Sequence, residues 1–531
     1  MTNEIKDNLF VLIKSLSKSE KRQFKLFVGR MGSNEHSKYL GLFNLLDRMD
    51  KYNEEAILVS DVATKQQLSN LKSHLYKQIL VSLRLNPIHK TVRAQIREYL
   101  DFATILYNKG LYRQSLKLLE KAKIQAKANE EKYTAYEIVE LEKVIESQYI
   151  TRSLSNRSQI LVAESEKLGE QNALATCLSN LSLRLYERMI KTGYAKSDQE
   201  YREITHLFYE NLPKCNLEEL GFREKLWYFK THVWYSFLTQ DFLRAYKYSV
   251  KWVEMFDSDV NKIVHHPVFY LKGNNYLMEC LSLLKYPIKF RQTLKQMQIR
   301  INSTLFPIND NLLALCFKFN YVNQLNLCFL EGNFEGGQKL IPNILEGIER
   351  HRNQIDPHHI MLFYYKIACI YFGIEKYESC IKFLEKIINN KELKMREDLL
   401  CFSRILHVIA LYEAELDYLV ESNLRQTYRY LIKMNDLQKV QDALIRFIRK
   451  LSNISPDELN QSIIELYEDL KTYEHDPYQR RAFLYLDILS WLESKIQNKS
   501  IAVIIKEKAV LNNRKQKRVS NRYHKFIPLN K

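Results

Sequence analysis

Carboxylates, imidazoles and thiols carry most protein chemistry, and in this 531-residue chain their spacing assembles no catalytic or metal-binding set. Asp257, Asp259 and Asn261 alternate as calcium-loop ligands do, but Lys262 stands where that loop turns on glycine and Val268 where it needs a bidentate glutamate. A cation at the turn opposes both the geometry and the charge of a calcium site. His265-His266 and His358-His359 are adjacent pairs beside Pro267 and Pro357. Neighbours on a helix point about 100° apart, whereas metal ligands on a helix favour spacings of three or four, so both pairs read as polar residues at helix boundaries. Asp457-Glu458 follows Ser455-Pro456, and helix capping accounts for both carboxylates. The chain has no phosphate-cradling glycine loop, dinucleotide fingerprint, zinc-protease pair or nucleophile elbow. The expectation is a protein that is not an enzyme and uses no metal and no cofactor.

The eight cysteines, from Cys177 to Cys401, are scattered through apolar stretches without a Cys-x-x-Cys pair. They read as buried free thiols in a reducing compartment. The apolar run Leu9 to Ile13 is too short for a secretory leader, and Met361 to Phe372 is interrupted by Lys366. A cytoplasmic protein without membrane insertion is expected.

Helices must position whatever function there is. Only 13 glycines and 10 prolines occur, too few for the turns of a sheet protein, and 46% of residues are hydrophobic, ample for burial. The length exceeds what one core accommodates, which favours growth by repetition. Between Tyr99 and Ala122 a recurring unit is legible: Ala103 is a small residue on a first helix and Gly110 ends that helix. Tyr112, Ser115, Leu119 and Ala122 then recur at packing positions of a second helix. Small residues let helices approach, glycine lets the chain reverse, and the aromatic two residues later plugs the gap. The pattern returns as Phe242 with Ala245, as Gly332, Phe334 and Gly337, and as Ala368 followed by Tyr377, Cys380 and Leu384. Pro342 falls inside one of these second helices and should kink or restart it.

These residues resemble tetratricopeptide repeats. The resemblance implies an all-α protein, a right-handed superhelix of antiparallel helical hairpins of α-solenoid type. Weaker turns near 151–155, Gly193, Tyr286-Pro287, Glu415 to Asp417, Ser455-Pro456 and Asn498 to Ser500 complete a step of roughly 41 to 47 residues, longer than a standard unit. About ten hairpins are expected over residues 91–513. Residues 1–90 are expected to form an N-terminal helical cap or small domain, with a capping box at Ser17 and Glu20, Phe24, Phe27 and Val28 facing a core, and an amphipathic helix from Thr64 to Leu85. The stretches Ser17 to Phe27 and Leu71 to Arg84 are also similar to a bacterial family of this architecture, a likeness that brings no activity with it. Residues 514–531 are a basic tail containing Arg514, Lys515, Lys517, Arg518 and Arg522.

In tetratricopeptide proteins the first helices line a concave groove, and Trp227, Lys230, Trp234 and Phe237 stand at groove positions, as do Tyr107 and Asn108, with Arg97 a few turns earlier. Such a groove suits a peptide with apolar and acidic side chains, and packing between helices is the competing use of the same aromatics. The leading expectation is a noncatalytic scaffold for a protein or peptide partner. Its rival is a nucleic-acid-associated regulator. With 80 Lys and Arg against 62 Asp and Glu, the charge of +18 attracts anionic partners of either kind. Lys65, Lys72, Lys77 and Arg84 on one helix, or the tail, would then contact phosphates.

Overall fold

The computed structural model describes residues 7–30, 34–60, 62–86, 91–149, 156–390, 397–433, 439–451, 456–476, 478–479, 482–485 and 487–524, excepting the side chains of 34–37, 397–398, 451, 456–457, 484–485 and 513–524. Among these residues the chain is all-α. The first helices are α1 (Asn8–Ser15), α2 (Lys18–Gly29), α3 (Asn34–Arg48), α4 (Glu54–Val59), α5 (Lys65–Leu85), α6 (Val92–Asn108), α7 (Tyr112–Ala128), α8 (Lys132–Gln148) and α9 (Arg157–Thr192). Then follow α10 (Asp198–Asn211), α11 (Phe222–Leu238), α12 (Phe242–Asp257), α13 (Asn261–His265), α14 (Pro267–Leu283), α15 (Pro287–Ile301), α16 (Asp310–Glu331), α17 (Phe334–Arg350) and α18 (Pro357–Gly373). The last are α19 (Tyr377–Ile388), α20 (Glu397–Glu413), α21 (Asp417–Lys433), α22 (Lys439–Leu451), α23 (Pro456–Thr472), α24 (Ala482–Tyr485), α25 (Ile488–Gln497) and α26 (Ile501–His524). Two compact units divide the chain, Met1–Gly169 and Glu170–Lys531. The boundary expected near residue 90 abuts residues 87–90, which lie outside the described ones.

In the first unit, α1, α2, α3 and α5 gather around Ile13, Phe24, Leu42, Phe43, Leu75 and Ile79. The Ser17 hydroxyl accepts from the Glu20 backbone N–H at 3.2 Å while the Ser17 N–H donates to the Glu20 carboxylate at 2.7 Å, a reciprocal cap that fixes the start of α2. Phe24 and Val28 are buried and Phe27 partly so, and α5 turns Leu68, Leu75 and Ile79 inward. Further along, α6, α7 and α8 pack in succession around a core of Ile96, Ala103, Leu119, Ala122, Ile138 and Val139.

The second unit is a run of helices that pack chiefly on their sequence neighbours. One turn recurs throughout the molecule. A residue with positive φ follows the helix, and the next N–H reaches back to the carbonyl five residues earlier, satisfying an otherwise orphaned acceptor. Gly110 does this between α6 and α7, with Leu111 N–H donating to Leu106 O at 2.9 Å. Gln240, Lys285, Gly332, Glu375, Glu415 and Asn498 repeat it with distances of 2.8–3.0 Å. Four of the weaker turns read from the sequence thus fall at helix ends, at Gly193, Lys285 to Pro287, Glu415 and Asn498. Those at 151–155 and Ser455 lie outside the described residues. The restart expected at Pro342 is corrected: α17 runs through it as one helix from Phe334 to Arg350.

Strict serial order also fails where later segments return to earlier helices. The C-terminal α26 returns to pack on α15 and α16, where Ala502 O lies 2.6 Å from the position a Cβ on Gly332 would occupy. Tyr478 likewise reaches back, its hydroxyl donating to Asp198 at 2.5 Å.

Candidate partner-binding face

The small-residue seam of the first clear hairpin lies between α6 and α7. Ala103, Leu119 and Ala122 are fully buried, and the buried Ser115 hydroxyl donates to the Ala103 carbonyl at 2.8 Å. A serine is tolerated at this buried position because its one donor finds a backbone acceptor. Tyr112 and Tyr377, the aromatics after two of these turns, each pack on the end of the preceding helix. Tyr112 meets Tyr107 at 5.9 Å and Tyr149 at 5.2 Å, and Tyr377 meets Phe372 at 5.6 Å. Phe242 stands edge-on to Tyr194, and Phe334 lies so close to Gly373 that a Cβ there would meet its ring at 2.3 Å. Ala245, Ala368, Cys380 and Leu384 are fully buried, and Gly337 admits Ile370.

The expected groove residues fall in both units. In the first, Arg97 and Asn108 are exposed on α6, and Tyr107 is half-buried with its hydroxyl donating to Gln148 at 3.0 Å. In the second, α11 carries Trp227, Lys230, Trp234 and Phe237. Phe237 and Trp234 are 2% and 8% exposed, so both serve mainly as interior bulk between helices. Trp227 and Lys230 remain half-buried at the surface, the ammonium 4.5 Å from the centre of the indole.

Sequence reasoning missed what stands beside them. Trp227 contacts Phe269 at 5.6 Å and Trp234 contacts Tyr276 at 5.2 Å, two pairs with the same sequence separation. The helices α11 and α14 therefore run parallel and in register, and the half-buried Lys272 on α14 occupies the position equivalent to Lys230. The order continues. Asn323 on α16 donates to Asn275 on α14 at 2.9 Å, Lys318 on α16 approaches His359 on α18 at 3.4 Å, and Lys366 on α18 donates to Asn326 on α16 at 2.6 Å. Lys230, Lys272 and Lys318 lie along this face and Lys366 two turns beyond His359 on α18; all four are half-buried, and among the described residues none is within ion-pairing distance of a carboxylate. The signal was present in the sequence as apolar-x-x-Lys-x-x-x-apolar: Trp227-Lys230-Trp234, Phe269-Lys272-Tyr276, Leu315-Lys318-Val322 and Phe363-Lys366-Ile370.

Burial lowers the affinity of these lysines for protons, since desolvation penalises the charged form. It pushes Lys230 down to about 8, with the like charge of Lys272 adding to the effect. Burial alone lowers Lys272. Burial also lowers Lys318, against the opposing pull of Asp356 and with the help of Lys272. Asp356 is itself engaged: burial disfavours its charge, but hydrogen bonds from His359 overcome this and hold it below the usual carboxylate range.

The other candidates resolve locally. Asp259 spends its carboxylate on the Asn261 N–H at 3.1 Å and on Lys262 at 3.8 Å. His265 ends α13 and His266 rests on Phe222, while His358 and His359 lie in the first turn of α18. Among the described residues no three His, Cys, Asp or Glu side chains gather as a metal site would require, and no helix is long and apolar enough to cross a membrane. Cys280, Cys380 and Cys401 are buried, but Cys177 is exposed, a correction to the expectation of buried thiols; Leu178 and Leu181 take the inward face of α9 beside it.

Among the N-terminal cations, Lys65 and Lys77 are exposed, Arg84 pairs with Asp101 at 3.1 Å, and Lys72 turns inward to Asp7 and to the Tyr52 hydroxyl at 2.8 Å. The backbone of Arg514, Lys515, Lys517, Arg518 and Arg522 continues α26, and their side chains lie outside the described residues. No protein family, curated protein or solved structure matches the chain.

Proposed function

We propose that this protein is a noncatalytic scaffold of tetratricopeptide-like helical hairpins that binds a protein partner along the face of its first helices. The observation that supports this reading is the parallel, in-register run of α11 and α14, continued by the contacts of α16 and α18. Along this face α11, α14, α16 and α18 leave half-buried lysines, with the half-buried rings of Trp227, Phe269 and Tyr276 beside the first two, a surface of the mixed character that protein interfaces use. A right-handed superhelix and a cytoplasmic location accompany this reading.

A photo-crosslinking residue in the full chain tests it inside the native cell. Placed at Tyr276 on the face, it should yield discrete protein adducts; placed at the exposed Lys247 of α12, it should yield none. Equal labelling from both positions would sink the scaffold reading. The rival, a nucleic-acid-associated regulator, draws on a different observation: α2 exposes Lys18, Arg22 and Lys25 on its surface. Phosphate contacts release counterions, so that reading requires nucleic-acid affinity that falls steeply with salt and is lost when these three residues are neutralised.

A further inference from the structure

Lys230 and Lys272 pose a problem in energetics. They occupy equivalent positions on two parallel helices in ring contact, each is half-buried, and neither pairs with an acid. Desolvating two like charges side by side is unfavourable unless a counter-charge arrives. Among the described residues, the one partner within hydrogen-bond or ring distance of either ammonium is the face of Trp227, beneath Lys230. The protons of both are held less tightly than those of ordinary lysines, and among the described residues no carboxylate pairs with either ammonium to restore them.

Elsewhere the same fold resolves the same problem internally. The 12%-exposed Lys123 side chain on α7 donates to Glu142 at 2.6 Å and to Glu164 at 3.2 Å, and Arg157 lies 3.5 Å from Glu142. Lys318 and Lys366 occupy an intermediate position: Lys318 approaches His359 and feels the charge of Asp356, and Lys366 donates to Asn326 and feels the charge of Glu279. The deficit is thus concentrated between α11 and α14. Its flanks are apolar, with Trp227 and Phe269 one turn before the lysines and Tyr276 one turn after.

Building on the scaffold reading, we propose that the α11–α14 face binds an acidic peptide segment of a partner protein, one side-chain carboxylate bridging Lys230 and Lys272 while apolar side chains on either side rest on Trp227 with Phe269 and on Tyr276. Charge complementarity selects the acid, and the rings select its neighbours. The partner segment is apolar-acidic-apolar, and Lys318 extends the contact toward α16.

The test uses the full chain and a fluorescein-labelled, C-terminally amidated peptide of alternating Leu and Glu, read by anisotropy at low salt. Binding is expected, and a Lys-Leu peptide should not bind. A charge-assisted hydrogen bond contributes enough that Lys230→Met and Lys272→Met should each weaken binding about tenfold. Each should also raise the melting temperature, because a desolvated charge is replaced by an apolar chain of similar length. Lysines retained for structure would give the opposite thermal shift. The surface control Lys65→Met with Lys77→Met should change neither reading.

Undiminished peptide binding by the methionine variants, or a fall in their melting temperature, overturns the proposal. So does a labelled oligonucleotide that binds through the same two lysines while the peptide does not. If crosslinking at Tyr276 still captures a partner whose binding ignores both substitutions, the scaffold reading survives and the acidic occupant does not.

Discussion

Both units take basic side chains out of water, and they compensate for it differently. In the first, Lys123, Arg157, Glu142 and Glu164 tie α7, α8 and α9 together, with Lys127 adding a further pair to Glu164. In the second, Lys230 and Lys272 have no such partners, and His232 is buried between Tyr228 and Tyr248 with one ring nitrogen donating to the Tyr228 carbonyl at 2.9 Å. Similar helical hairpins therefore support opposite electrostatic regimes. A self-neutralised network makes a joint, whereas unmatched basic groups leave a surface with an appetite for anions.

The sharpest way to break this contrast is to create a deficit where none exists. Glu142→Ala removes the shared partner of Lys123 and Arg157 at a site 2% exposed. The loss of one side of a buried pair costs about 3–5 kcal/mol, so calorimetry should show a large drop in the unfolding of the first unit. A small change would mean that the network is ornamental.

Next comes acid titration of the second unit. Burial pushes His232 down to about 4, with Arg244 and Lys251 adding to the effect and the Tyr228 hydrogen bond opposing it. The unfolded chain takes up this proton first, near 6.5. The contribution is therefore intact above about pH 6.5, fades as the pH falls toward 4, and changes no further below that. It amounts to about 3 kcal/mol in denaturant titrations, and His232→Phe should flatten that slope while preserving the ring stack. An unchanged slope would assign the acid sensitivity to other groups.

Two glycines provide a smaller comparison. Gly110 and Gly332 both have positive φ, at 71° and 64°. A Cβ at Gly110 meets nothing within 4 Å, whereas at Gly332 it meets the Ala502 carbonyl at 2.6 Å. Gly110→Ala should cost about 1 kcal/mol from backbone conformation alone. Gly332→Ala should cost about 2–3 kcal/mol because it also displaces α26. Equal melting shifts would show that the α26 contact contributes little. A loss as small as that at Gly110 is expected for Ser115→Ala, about 1 kcal/mol from the hydrogen bond to Ala103, measured as a chemical-denaturation midpoint.

The hairpins were legible because they rest on local chemistry. The Ala103–Gly110–Tyr112 unit and the Ser17–Glu20 cap are short-range patterns, and each fixes one turn or one helix start. The return of α26 to Gly332 was not legible, since nothing near Ala502 in sequence encodes a contact with residue 332. Pro342 did not restart its helix because a missing N–H is tolerable where neighbouring helices hold α17 in place. Aromatic type alone drew Trp234 and Phe237 into the expected groove, yet large rings serve burial at least as well. The lysine stripe was encoded in the repeated apolar-x-x-Lys-x-x-x-apolar spacing, but recognising it requires knowing that α11 and α14 run parallel in register.

The docking of α26 onto α15 and α16 changes how the second unit should come apart. An open row of hairpins frays from its last member inward, so its final helix ought to exchange amide protons fastest. Here the last helix is riveted to the middle, and the described first half of α26 should hold its deuterium pattern as long as α16 does. Thinning would begin instead between α20 and α23, in the arc that the rivet spans.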